Sequence, residues 1–139
     1  MPDQAKTVAT RAVIAAAEPE LFVADIQSSC DFFASKLGFA TAFTYGEPPF
    51  HAQVRRDGAR LNLRCVEKPV IDPDQRDREQ LLSAALTVAT AGEITQLFLE
   101  FQSTGATFVQ TIKREPWGAR NFIVSDVDGN LLLFAGPAE

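Results

Sequence analysis

The sequence predicts an α+β fold in which a strand, a helix and three further strands occur twice along the chain. Two segments carry apolar residues at helical spacing, and each ends at a glycine, Gly38 or Gly105. Alternating runs typical of strands follow each helix, and a glycine turn precedes the last strand of each half, at Gly58 and Gly129. Each half can bury one sheet face under its helix, which leaves the other face free to line a cavity.

The first module is predicted to span residues 18–67. Asp25 is expected to cap its helix, and Asp57-Gly58 is a strong signal for the hairpin between its last two strands. The apolar stripe of the helix consists of Ile26, Cys30, Phe33 and Leu37. The predicted elements are a strand at 18–24, a helix at 26–37 and strands at 39–45, 50–56 and 59–66.

The second module is predicted to span residues 81–136, in one compact domain with the first. Residues 68–80 between them are charged, contain two prolines and show no apolar face, which predicts an exposed crossover linker. Residues 1–17 form an N-terminal extension with no sustained period. The predicted elements are a strand at 81–88, a helix with the apolar stripe Ile94, Leu97, Phe98 and Phe101, and strands at 106–112, 119–125 and 131–134.

Composition restricts the classes of function. With 139 residues, 46% of them hydrophobic and 22% charged, the chain is typical of one soluble globular domain. A net charge of -5 argues against a nucleic-acid partner and favours cationic ligands. No apolar run approaches the roughly 20 residues that span a bilayer, and no signal peptide is evident, so a cytoplasmic protein is expected. Cys30 and Cys65 are interpreted as reduced, buried residues.

The C-terminal part carries a family resemblance. Pro116-Trp117-Gly118, one strand, the turn 126–130 and a closing apolar strand resemble the ending of the vicinal oxygen chelate superfamily, which includes glyoxalase I, extradiol dioxygenases and bleomycin-resistance proteins. Leu37-Gly38-Phe39 after a helix and the strand that follows Asp57-Gly58 are similar to other parts of that family. The ending resembles the bleomycin-resistance branch most. The resemblance implies a curved, half-open mixed sheet with helices on its convex face.

The resemblance also locates the positions of the family's metal ligands, at Glu18, Asn62, Ser83 and Leu133. Only Glu18 is a good ligand, since the amide of Asn62 is neutral and Leu133 cannot coordinate. The sole histidine, His51, lies in another strand, so a site built from two histidines and a carboxylate is unavailable. We therefore expect neither a metal nor another cofactor.

Without a metal, the resemblance still implies a cavity that binds a ligand. In bleomycin-resistance proteins a homodimer builds grooves lined by aromatic side chains, which offer rigid stacking area. Alternation in the fourth strand places Arg60, Asn62 and Arg64 on one face. The candidate ligand-binding residues are Trp117, Phe50, Tyr45, His51, Phe43, Asn62, Arg64 and Glu18.

Each candidate also has a structural interpretation. Trp117, Tyr45 and Phe50 are equally consistent with ordinary packing, and His51 with a strand residue whose hydrogen bonds are satisfied. Arg60 and Arg64 are either solvated charges or an anion site. The acidic residues of the turn 126–130 resemble a calcium loop, but turn geometry accounts for them.

Three functions remain open from the sequence. The first is a homodimeric protein that sequesters an aromatic or planar compound, as in antibiotic resistance, without catalysis and without a nucleic-acid or membrane partner. The second is a metal-dependent lyase, isomerase or dioxygenase of the same superfamily. The third is a structural module whose cavity is filled by its own side chains.

Overall fold

The structure, a computed structural model, describes residues 10–138. The predicted α+β order of two strand, helix and three-strand modules is confirmed. The first module contains β1 (Glu20–Val23), α1 (Ile26–Leu37), β2 (Ala40–Tyr45), β3 (His51–Arg56) and β4 (Ala59–Cys65). The connecting segment contains α2 (Pro73–Glu79). The second module contains β5 (Leu82–Thr87), α3 (Ala91–Thr104), β6 (Thr107–Arg114), β7 (Arg120–Ser125) and β8 (Leu131–Gly136).

Each module forms one four-stranded mixed sheet with the same strand order. The first sheet runs β1-β4-β3-β2 and the second runs β5-β8-β7-β6. In each, the first and fourth strands of the module pair in parallel, and the remaining neighbours are antiparallel. The repeat seen in the sequence is therefore a repeat of topology.

The predicted caps of the two long helices are confirmed. Asp25 accepts a hydrogen bond from the backbone N–H of Ser28 at 2.8 Å and so caps α1. Gly38 and Gly105 follow α1 and α3 with φ of 72° and 78°, the left-handed conformation that glycine adopts without steric cost. These caps fix where each chain segment leaves its helix and enters the next strand.

One apolar core joins the two modules. Phe33 and Leu37 of α1 and Phe101 of α3 are fully buried in the same cluster, which also contains residues from both sheets. The ring of Phe101 lies 5.1 Å from that of Phe134 and 5.9 Å from that of Phe122. Because the helices cover one face of each sheet, the opposite faces are left for other contacts.

Polar contacts also link the modules. Lys36 donates to the carbonyl of Thr104 at 2.9 Å, and the Thr104 hydroxyl donates to the carbonyl of Lys36 at 2.7 Å. The guanidinium of Arg56 donates to both carboxylate oxygens of Glu100, at 2.6 and 2.9 Å. This paired geometry lowers the pKa of Glu100 and raises that of Arg56.

The Arg56 to Glu100 pair predicts an acid-sensitive contribution to stability. The folded pKa of Glu100 lies below its ordinary value of 4.5, so the contribution is complete above that value and is lost as pH falls through the folded pKa. Glu100→Gln should lower the free energy of unfolding by about 0.5–1 kcal/mol at pH 7, because the pair is partly exposed. Urea unfolding of both proteins at several pH values measures this difference.

The difference should shrink as pH falls through the folded pKa of Glu100, because the wild-type carboxyl then becomes protonated as well. Glu79→Gln, on the exposed helix α2, is the matched control and should leave stability unchanged at every pH. A Glu100→Gln effect of equal size at pH 3 and pH 7 would contradict the assignment.

The structure adds one helix and corrects three strand boundaries by two residues each. Residues 68–80 were predicted to form an exposed crossover linker; the segment contains α2, with Asp72 as its cap and Pro73 at its start, and none of the residues of α2 is buried. The first strand begins at Glu20 rather than residue 18, although Asn62 still donates to the carbonyl of Pro19 at 2.9 Å. β6 and β8 each extend two residues beyond the predicted end.

Hydrogen bonds within the segment 126–130 show that its acidic residues build a turn. The carboxylate of Asp126 accepts the backbone N–H groups of Asp128 and Asn130 at 2.9 and 2.7 Å, and the amide of Asn130 at 2.9 Å. Burial raises the pKa of Asp126 in spite of these donors. Asn130 also donates to the carbonyl of Phe22 at 3.0 Å, so the turn holds the second module against β1.

Two further findings concern residues 10–138 only. None of their helices is long and apolar enough to cross a membrane. Both cysteines carry free thiols, and Cys30 is buried as expected, whereas Cys65 is only half-buried.

Candidate functional site

The face of the first sheet that points away from α1 carries most of the predicted site. Residues directly opposite one another on paired strands share a face, so the registers define this surface. Leu61 and Leu63 of β4 point into the core, and Arg60, Asn62 and Arg64 between them point the other way, as predicted. We call this surface the open face; its residues are Glu20, Phe22, Phe43, Tyr45, His51, Gln53, Arg55, Arg60, Asn62 and Arg64.

Four predicted residues meet at one side of the open face. The ring of Tyr45 lies 5.6 Å from that of Phe50, edge to face, and the ring of Phe43 lies 5.7 Å from that of His51. Tyr45 and Phe50 are 66% and 51% exposed, so these rings are not part of the core. We call Phe43, Tyr45, Phe50 and His51 the aromatic corner.

The loop after β2 holds Phe50 in the aromatic corner. Gly46 has a φ of 101°, and a Cβ at this position would overlap the Phe50 ring. The backbone N–H of Phe50 donates to the carbonyl of Tyr45 at 2.9 Å, and its carbonyl accepts from the N–H of Cys65 at 2.9 Å. Phe50 is therefore fixed beside Tyr45 although it precedes β3.

Glu18 and Asn62 lie on either side of a residue that the sequence did not single out. The amide nitrogen of Gln53 donates to Glu18 at 3.1 Å and to Asn62 at 2.8 Å, and Gln53 is 4% exposed. Arg60 lies 3.5 Å from the other carboxylate oxygen of Glu18. A cation between Glu18 and Asn62 would have to displace that amide. The sequence feature that could have identified Gln53 is its position opposite Asn62 in the hairpin.

The other two positions that correspond to metal ligands lie on the second sheet. Ser83 hydrogen-bonds to Asn130 at 3.2 Å, and Leu133 is half-buried on β8. Within residues 10–138, no hydrogen bond or ion pair connects either of them to Glu18 or Asn62, and no group of three His, Cys, Asp or Glu side chains is arranged to hold a metal ion. The donor set of one carboxylate, one amide and one hydroxyl is poor for a divalent cation.

Trp117 is separate from the aromatic corner within one chain. It occupies the turn between β6 and β7, where Gly118 donates to the carbonyl of Glu115 at 2.8 Å. Its side chain is 73% exposed, and its ring contacts none of the aromatic rings in the described part of the chain. The structure thus brings together Phe43, Tyr45, Phe50 and His51 but leaves Trp117 apart.

The second sheet carries an amide network of its own on the matching face. Gln110 donates to Asn121 at 2.8 Å, and Asn121 donates to Glu115 at 2.9 Å. Lys113 lies 3.7 Å from Glu115. Asn121 occupies the third strand of its module, as Gln53 does in the first. This face shows no counterpart to the aromatic corner among residues 107–136.

A separate cavity lies between the modules. It is a groove of about 610 Å³ between the β3–β4 hairpin, β5 and α3, and the Arg56 to Glu100 pair lies in its wall. None of the eight predicted ligand-binding residues lines it. No pattern in the sequence indicates this groove, since it depends on how the two modules pack. We base the site on the open face because it has the exposed rings that the groove lacks.

The chain matches known proteins over most of its length. The family model of the Glyoxalase/Bleomycin resistance protein/Dioxygenase superfamily matches residues 13–134. No curated protein matches the chain significantly.

Among crystal structures, the glyoxalase/bleomycin resistance protein/dioxygenase of Alicyclobacillus acidocaldarius is similar, with 18% identity and a TM-score of 0.70, over 88% of this chain and 91% of that one. The bleomycin-binding protein of Streptomyces verticillus, complexed with copper(II)-bleomycin, has 24% identity and a TM-score of 0.67, over 91% and 99%. TioX of Micromonospora sp. ML1 has 20% identity and a TM-score of 0.65, over 86% and 95%. At such identities the likeness shows the fold.

Proposed function

We propose that this chain, which belongs to the Glyoxalase/Bleomycin resistance protein/Dioxygenase superfamily, binds and sequesters a planar or aromatic small molecule on its open face without a metal and without catalysis. The observation that carries the proposal is the aromatic corner, where the Tyr45 and Phe50 rings lie largely in solvent. Exposed rings held in a fixed arrangement offer stacking area with little entropy cost. A related fold is known with bleomycin bound, in the Streptomyces verticillus protein.

The polar part of the open face supports binding rather than metal chemistry. Glu18 already accepts from Gln53 and faces Arg60, so its negative charge is compensated within the protein. A free carboxylate is the ligand that a divalent cation would require here. Polar side chains beside a hydrophobic surface serve instead to orient a bound molecule.

A second copy is expected to complete the site. In a single chain the open face has the sheet on one side and no protein on the other. An exposed aromatic patch of this kind marks a contact surface. A twofold homodimer would enclose each open face and could bring Trp117, which is 73% exposed, towards a bound ligand. We place this dimer in the cytoplasm, as a drug-sequestering protein similar in role to those that confer antibiotic resistance.

Three measurements test the proposal. Elemental analysis of purified protein should find no stoichiometric metal. Titration with bleomycin and a set of planar drugs should change the fluorescence of Trp117, the only tryptophan, and saturate near one ligand per chain. Light scattering during size-exclusion chromatography should give the mass of two chains of 15.2 kDa.

One bound metal ion per chain, lost in Glu18→Ala, would replace this proposal with a metal-dependent lyase, isomerase or dioxygenase. Absence of both metal and ligand binding would favour a structural module.

A further inference from the structure

The charged side chains of the open face are not equally paired. Arg60 lies 3.5 Å from Glu18, and Arg55 donates to the amide oxygen of Gln53. Glu20 lies 4.0 Å from His51. Arg64, in contrast, is exposed, and its guanidinium has no hydrogen bond or ion pair with any residue of the described range 10–138. It is the arginine of this face that is available to a ligand.

The strand registers place Arg64 in a row of rings. Phe22 of β1 lies directly opposite Arg64, Arg64 lies opposite His51 of β3, and His51 lies opposite Tyr45 of β2. Neighbouring strands are about 4.8 Å apart, so Arg64 lies about 10 Å from Tyr45 along this row. A molecule that rests on the aromatic corner can therefore reach the guanidinium with a group at its edge.

The local charge differs in sign from that of the whole protein. The three arginines of the open face outnumber its one strand glutamate, Glu20, and the adjacent Glu18, so the local charge is positive. The full chain has a net charge of -5. A cationic ligand would thus be attracted by the protein at long range but would meet an unpaired cation at the site itself.

We propose that the ligand is a planar or aromatic acid whose carboxylate binds Arg64 while its ring stacks in the aromatic corner. The proposal rests on the function proposed above and specifies its class of ligand. The planar guanidinium can donate two parallel N–H bonds to a carboxylate, which fixes orientation as well as charge. The alternative is a solvated surface arginine with no role in binding.

Three naphthalene probes with the same ring system test this class: 2-naphthoate, 2-naphthamide and 2-naphthylmethylammonium. By isothermal titration calorimetry of the wild-type protein at low salt, the carboxylate should bind about tenfold or more tightly than the amide, and the ammonium most weakly. The preference for the carboxylate should shrink as salt is raised, since the pair is partly exposed.

Variants at Arg64 identify the group responsible. Arg64→Gln should abolish the preference for the carboxylate while leaving amide binding unchanged. Arg64→Lys should retain part of this preference, because lysine keeps the positive charge but cannot donate two parallel hydrogen bonds. Arg78→Gln, on the exposed helix α2, removes the same charge away from the face and should leave the preference intact. Circular dichroism of each variant checks that the fold is retained.

The outcomes separate the two proposals. If the carboxylate and the amide bind equally well, or if Arg64→Gln keeps the preference, the ligand class proposed here is wrong while binding on the open face stands. If none of the three probes binds to the dimer, both proposals are overturned.

Discussion

Replacement of Phe101 by alanine is expected to remove about 3–5 kcal/mol from the free energy of unfolding. The side chain is fully buried, it packs on the rings of Phe122 and Phe134, and the guanidinium carbon of Arg56 lies 5.9 Å from its ring centre. Since a domain of this kind is stable by only about 5–15 kcal/mol, the variant should lose much of its stability. Urea unfolding followed by circular dichroism measures the change.

Leu99 provides the matched control for Phe101. It lies two residues earlier on α3 and is 57% exposed. Leu99→Ala should change the unfolding free energy by less than about 0.5 kcal/mol. Similar losses in the two variants would show that Phe101 does not have the central position in the core that the packing indicates.

The second large effect concerns ligand affinity and not stability. Phe50→Ala should weaken binding of 2-naphthoate about tenfold, or about 1.4 kcal/mol, because it removes the aromatic ring that lies against Tyr45. The unfolding free energy should change by less than about 0.5 kcal/mol, since Phe50 is 51% exposed. Calorimetric titration and urea unfolding on the same preparation measure the two quantities.

Leu99→Ala also serves here, because its exposure of 57% is close to that of Phe50 and it lies on α3, away from the open face. It should bind 2-naphthoate as the wild type does. Unchanged affinity in Phe50→Ala would exclude the aromatic corner as the ligand surface. A large loss of stability in that variant would instead make Phe50 a packing residue.

The fold could be predicted because its signals are local. The glycines at 38 and 105 are required by the left-handed conformation that ends each helix, and the spacing of Phe33 and Leu37 follows from the face that α1 buries. The helix α2 has no apolar period, because none of its residues is buried. Its only local signal is the Asp72-Pro73 pair at its start.

The candidate site could be predicted in part. Alternation places Phe43 and Tyr45 on one face of β2, but only the strand register brings Tyr45 opposite His51. The position of Phe50 depends on the backbone of the loop 46–49, and the role of Gln53 depends on which amide lies within reach of Glu18. The groove between the modules depends on the packing of α3 beside the β3–β4 hairpin, which no local pattern encodes.

The repeated topology of the two sheets gives the protein two modules with one architecture and different outer faces. Both modules have a buried amide on the third strand, Gln53 in one and Asn121 in the other. Only the first surrounds its amide with rings and an unpaired cation, while the second places Ile123 and Leu133 on its matching face. Because both modules contribute to one common core, the outer face of the first module can carry different side chains from that of the second without loss of the packing that holds both.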